Sequence, residues 1–181
     1  MRIPLNRRRM MRRLGYAGPV SALSRISCLA LVFFVHAAIA QTISDAYIGK
    51  DGKARVVFAN GAVKIMRPER QQVGCDNISM DSDKRAVAWS VLVDNCCTSY
   101  PIPIAVVVYR YRKKTVIYPG QMIWKWRFVR EEQIAVLSGP VHGWAARANL
   151  YSIQSGRVLE SWNGKGDAPE WAKDWADEFE Q

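Results

Sequence analysis

Past residue 40, the side chains with most chemistry to offer are Cys75, Cys96, Cys97 and His142. Two readings of the thiols stand side by side. A disulfide from Cys75 to Cys96 or Cys97 would close a loop of about 22 residues and stabilise the fold by roughly 3 kcal/mol in the chain-entropy picture. Alternatively, Cys96 and Cys97 join in a strained vicinal disulfide, or remain as a soft-metal or thiol-exchange site, since strained disulfides are the easily reduced ones. Three thiols are an odd number, so one is left over in any intramolecular pairing. The segment has no C-x-x-C and only one histidine, so it offers no metal site of standard spacing.

His142 lies in Ser138-Gly139-Pro140-Val141-His142-Gly143-Trp144, and the cysteine pair lies in a second irregular segment with Tyr100. If both segments are loops on the same edge of neighbouring sheets, then Tyr100, His142, Trp144 and the cysteines form one ligand-binding surface. The plainer alternative is a pair of Gly/Pro turns.

Hydrolase chemistry needs a nucleophile, a base and an orienting acid in hydrogen-bond reach. Ser138 or Ser99 could be paired with His142, but neither stands in a nucleophile elbow. No catalytic residue and no cofactor is therefore assigned, and a non-enzyme is expected. Arg110, Arg112, Lys113 and Lys114, interleaved with Tyr109 and Tyr111, make a basic hairpin tip. It suits a polyanion or lipid headgroup, or else is a solvated face whose charges discourage edge pairing. Trp124, Trp126 and Phe128 alternate with Lys125 and Arg127, which places the aromatics on one strand face as core.

The elements that carry these residues read as antiparallel strands. Runs at 46–48, 54–58, 62–66, 86–93, 104–111, 115–118, 123–128, 133–137, 148–153 and 157–162 are β-branched or aromatic and are separated by turn residues such as Asn60-Gly61. Residues 67–85 read as a loop. After Gly166 the pattern changes. Asp167 and Glu170 form a box-like helix start, and Trp171, Trp175 and Phe179 make one apolar stripe, so residues 167–181 are expected to be an amphipathic helix docked on the sheets. Its late acids oppose the helix dipole and should fray the last turn.

Met80–Trp89 overlays Phe128–Leu137 at an offset of 48, each an apolar residue, a polar turn and a strand; Val106 onward then resembles Ala148 onward. A period near that length suggests four-stranded blades. The chain resembles TolB-like and WD-like β-propeller repeats. It is also similar to a set of uncharacterised secreted bacterial proteins that carry VGC, NCCTSYPIP, GQMIW and GPVHG, present here from Val73, Asn95, Gly120 and Gly139. The resemblance implies an all-β fold of two to two-and-a-half propeller-blade-like antiparallel sheets over residues 41–166, and it implies no activity. So few blades cannot close a ring, which keeps a β-sandwich or a homodimer sharing edges open.

The amino-terminal 40 residues read as an export signal. Five arginines between Arg7 and Arg13 precede an uncharged run, Ile26 to Ile39, too short for a permanent span, and Ala38-Ile39-Ala40 suits cleavage before Gln41. Met10 or Met11 is an alternative start. Of 26 basic residues the signal holds seven, which leaves 19 against 16 acids, a mature net charge of +3 rather than +10. The charge therefore gives no support to nucleic-acid binding. The expected protein is periplasmic or secreted, has no membrane span after cleavage, and binds an unknown protein or small ligand of the envelope. Weaker expectations are a thiol-redox or metal-handling protein using Cys96 and Cys97, and an inhibitor of a secreted hydrolase.

Overall fold

Apolar runs with turn residues between them fold here as three antiparallel meanders, laid down in chain order. The computed structural model describes residues 42–130, 132–143 and 145–179. The first sheet is β1 (Ile43–Ile48), β2 (Ala54–Phe58) and β3 (Val63–Ile65). The second is β4 (Gln72–Met80), β5 (Ala86–Val93), β6 (Ile102–Arg110) and β7 (Lys113–Ile117). The third is β8 (Met122–Arg130), β9 (Gln133–Gly139), β10 (Arg147–Ser152) and β11 (Val158–Trp162). Each strand pairs with its sequence neighbour, so the protein is all-β, built from two four-stranded blade-like sheets and a three-stranded one.

The sheets are layered through three cores. Ile43, Ala54 and Val56 of the first sheet meet Val87, Trp89, Val107 and Tyr109 of the second. The opposite face of the second sheet, with Ala86, Ala88, Val106 and Val108, meets Trp126, Ile134, Val136 and Tyr151 of the third. The two alanines leave room for the larger side chains opposite. Beyond the third sheet, Ala135, Leu137, Ala148 and Leu150 lie under Trp171 and Trp175 of a carboxy-terminal helix. Covered on both faces, β5 reads AVAWSVLV, nearly continuous rather than alternating.

Four expectations need correction. Residues 72–80 form a strand, not a loop; Gly74, Asp76 and Asn77 hide it, and the pairing slips twice, with Asn77 at φ 55° inside the second slip. The 48-residue overlay is one residue out of step. It puts Ala86 and Ala88 on Ile134 and Val136, yet these four side chains face one another across one core. The residues that face the preceding sheet are Val87 and Ile134, an offset of 134 − 87 = 47. The cause is turn length, because Met80 pairs with Val87 across a long turn whereas Arg130 pairs with Gln133 across two residues. A slip of one residue reverses every face. The second overlay, Val106 on Ala148, keeps step, since Tyr109 and Tyr151 each face the preceding sheet.

Trp124 does not share a face with Trp126 and Phe128. A register shift between Ile123 and Lys125 turns it to the other side, against the third core. Finally, the tail is a 3-10 helix, Glu170–Phe179, which begins later than the Asp167 box places it; its first turn closes through Ala172 N–H donating to Pro169 O at 2.8 Å. Packing and cross-sheet ion pairs hold it rather than a cap. Lys125 and Arg127 of β8 pair with Glu178 and Asp174, so acids expected to fray the end are tied to the third sheet instead. No helix among the described residues is long and apolar enough to cross a membrane. The expected signal, residues 1–40, lies outside the described residues.

Candidate functional site

Meander topology decides which loops share an end. Arg110, paired with Ala86 where β5 begins, donates to Glu132 in the turn where β9 begins, so the β5–β6 loop (94–101) and the β9–β10 loop (140–146) emerge at the same end of neighbouring sheets. The β5–β6 loop carries Cys96, Cys97 and Tyr100, all exposed, and the β9–β10 loop carries His142, also exposed. Trp144 lies outside the described residues. No hydrogen bond or ion pair joins the two loops among the described residues, so what they share is an end of the fold.

Local hydrogen bonds shape the first loop. The Cys97 N–H donates to Asn95 Oδ1 at 3.4 Å, and Thr98 Oγ1 donates to Tyr100 O at 2.6 Å. Asn and Thr side chains fold back on the main chain in this way when no ladder partner competes. The two sulfurs, Cys96 Sγ and Cys97 Sγ, stand 3.1 Å apart. The second loop is buttressed from below. Gly139 closes β9 directly under the Trp124 indole, and a β-carbon there would overlap the ring. That contact explains the glycine that opens GPVHG.

Cys75 stands apart from both neighbours. Cys75, Cys96 and Cys97 are free thiols in this structure, and the expected disulfide from Cys75 to the 96/97 pair is not formed in it. Cys75 pairs with Val91, packs against the first core and accepts a hydrogen bond from Gln72 Nε2 at 2.9 Å. Gln72 pairs with Val93, so the register carries Cys75 three strand positions, about 10 Å, back from the end where the loop begins. A disulfide needs Cα atoms within about 7 Å.

Neither environment activates a thiol. Burial raises the Cys75 thiol above its ordinary value, with the Ala54 backbone and the Gln72 amide offsetting part of the rise. The Cys97 thiol is raised by its hydrogen bond to Cys96 and then by the neighbour's charge. Nucleophilic cysteines have lowered values. Two exposed sulfurs at this spacing can instead act together, holding one soft cation or being oxidised to each other. Among the described residues no group of three or more His, Cys, Asp or Glu side chains could hold a metal ion.

No family model matches the chain, and no curated protein matches it.

The remaining candidates divide. Ser138 is buried in β9 while His142 is exposed in the loop after it. At the basic hairpin, Arg110 turns inward, donates to Glu132 at 3.1 Å and to the Tyr111 hydroxyl at 3.3 Å, and stacks on the Tyr111 ring. Lys114 pairs with Glu69, and Lys113 donates to Gln154 O at 3.3 Å. Of the four, Arg112 and Lys113 reach solvent without an ion pair among the described residues. The sequence offered no signal for Trp124 as a support of the β9–β10 loop, because it acts through pairing register.

Proposed function

We propose that this chain is an exported, non-catalytic β-repeat binding protein of the bacterial envelope, whose partner docks on the loop end that carries Cys96, Cys97, Tyr100 and His142. One observation supports this most: the two irregular loops leave neighbouring sheets at the same end, with their thiols, phenol and imidazole exposed. Side chains of that mix suit recognition, since aromatic and imidazole groups bring contact area and hydrogen bonds at low entropic cost. The layered sheets supply a rigid base for loops of this kind. Blade-like sheets of the TolB or WD type would use their loop ends in the same way.

The test is site-specific photo-crosslinking in the producing cell, with the photoreactive residue at Tyr100 or, as a control, at exposed Leu159 on β11. A discrete adduct from position 100, missing from position 159 and weakened by His142→Ala, supports the reading. No adduct from position 100, or the same adduct from both positions, overturns it. Intact mass of the exported protein in the same experiment is expected to begin at Gln41.

A second reading rests on the 3.1 Å sulfur separation. In it the Cys96–Cys97 pair handles a soft cation or a thiol oxidant in the envelope. Its test is labelling of the exported protein without reductant: rapid labelling of both thiols, blocked by a trivalent arsenical that bridges two sulfurs, supports it. A pair that labels one thiol at a time and ignores the arsenical sinks it.

A further inference from the structure

A cleft of about 280 Å³ opens between the first and second sheets at the end opposite the thiol loops. Phe58 and Tyr109 give it an aromatic wall, and Lys64 of β3, Arg85 before β5 and Arg112 of the β6–β7 turn bring three cations to it. No carboxylate lines it. Several basic residues elsewhere have a carboxylate beside them, as Arg55 has Asp51, Lys114 has Glu69 and Arg127 has Asp174. Lys64, Arg85 and Arg112 form no ion pair among the described residues. Like charges gathered around a small volume raise each other's energy unless an anion enters it.

Two details bear on how the cleft is built. Lys64 Nζ donates to the hydroxyl of buried Tyr109 at 3.2 Å and lies 4.6 Å from the centre of its ring, so the ammonium is fixed at the cleft wall. At the mouth, Tyr111 and Arg112 form a two-residue hairpin turn with φ of 48° and 62°. Both are left-handed conformations that asparagine and glycine adopt readily and that cost other residues roughly 1–2 kcal/mol each. A turn free to be Asn-Gly is occupied instead by an aromatic and a guanidinium that face the cleft.

We infer that this cleft binds a phosphate group. A single carboxylate is satisfied by one bidentate arginine, whereas a phosphomonoester carries nearly two charges and three acceptor oxygens, which three separate cations can share. Phe58 and Tyr111 border the same space and can cover the apolar part of the molecule that bears the phosphate. That molecule is either a soluble phosphomonoester or a lipid headgroup. The site is remote from the thiol loops and stands or falls independently of them.

The test uses the purified protein in two arms. In the first, inorganic phosphate and then glycerol 3-phosphate are titrated at constant ionic strength by calorimetry, with chloride as the reference anion. In the second, co-sedimentation is measured with vesicles of phosphatidylcholine containing one-fifth phosphatidic acid, against pure phosphatidylcholine. Binding in the first arm identifies a soluble source, and binding in the second alone identifies a lipid. In either case Arg85→Ala and Arg112→Ala are each expected to weaken binding about tenfold, the loss of one charged hydrogen bond. The decisive variant replaces Tyr111-Arg112 by Asn-Gly. It relieves the backbone and is expected to keep or raise the melting temperature while losing at least as much affinity. No phosphate-dependent binding in either arm, or variants that bind as the parent does, overturns the inference.

Discussion

Trp126 Nε1 donates to Ser90 Oγ at 2.8 Å, and both groups are buried where the second and third sheets meet. It is a polar bond across a core otherwise made of alanine, valine, isoleucine and aromatic rings. The indole sits in a largely buried setting, with Ser90 Oγ as its acceptor. Ser90→Ala should therefore cost about 1–3 kcal/mol, the penalty of an unmet buried donor, rather than the few tenths expected of a lost surface hydroxyl. Urea denaturation of Ser90→Ala, Trp126→Phe and the double variant checks this. The double variant should lose less than the sum of the singles, and strict additivity would show that the bond does not couple the sheets.

The carboxy-terminal helix closes the third core. Trp171 and Trp175 are buried on Ala135, Leu137 and Leu150, and Arg127 grips the helix three ways, by pairing with Asp174, donating to Trp171 O at 2.9 Å and lying over the Trp175 ring at 5.2 Å. Trp175→Ala is expected to destabilise by about 3–5 kcal/mol. Arg127→Ala should cost about 1–2 kcal/mol, since its ion pair is largely exposed and only the stacking and carbonyl bond are sheltered. Chemical denaturation orders the two variants, and equal losses would mean that the guanidinium matters as much as the buried indole.

The thiols should separate in rate and in pH response. Cys96 and Cys97 are exposed and should alkylate well before half-buried Cys75, as a time-resolved peptide map would show. For Cys75 the folded value is raised by burial above the unfolded one. Its contribution to stability is then fully present below the ordinary thiol value, about 8.5, and is lost as pH rises through the raised folded value. Melting temperature should fall across that alkaline window, and Cys75→Ala should flatten the fall. An unchanged slope would show that Cys75 does not report on the first core.

Gly139→Ala should disturb the His142 loop without touching it. The added methyl overlaps the Trp124 ring, so strand or indole must move, at about 1–3 kcal/mol. The expected signature is a shifted tryptophan fluorescence maximum together with a lowered melting temperature. Normal fluorescence and stability would mean that the indole does not lie on β9.

The β5 run AVAWSVLV and the turn at Asn60-Gly61 were legible because strand propensity and turn chemistry are local. β4 was not, since Gly74, Asp76 and Asn77 are poor strand formers and only pairing with the fully buried β5 makes that stretch extended. Trp124 was misplaced for a related reason, because a bulge has no signature in side-chain alternation. Within the candidate site, Cys96, Cys97, Tyr100 and His142 stood out by type, while the separation of Cys75 from the pair followed from register alone.

Composition and periodicity by themselves determined an all-β meander with a short helical tail, because those properties arise between residues a few positions apart. The tertiary structure decided which faces meet. It set Val87 and Ile134 in equivalent positions where a composition match had aligned Ala86 with Ile134, and it kept Cys75 in the first core. It also gathered Lys64, Arg85 and Arg112, from three separate segments, around one cleft. Such placements depend on turn lengths and bulges that shift a strand by one residue, and with a side-chain period of two, one residue is enough to exchange core for surface.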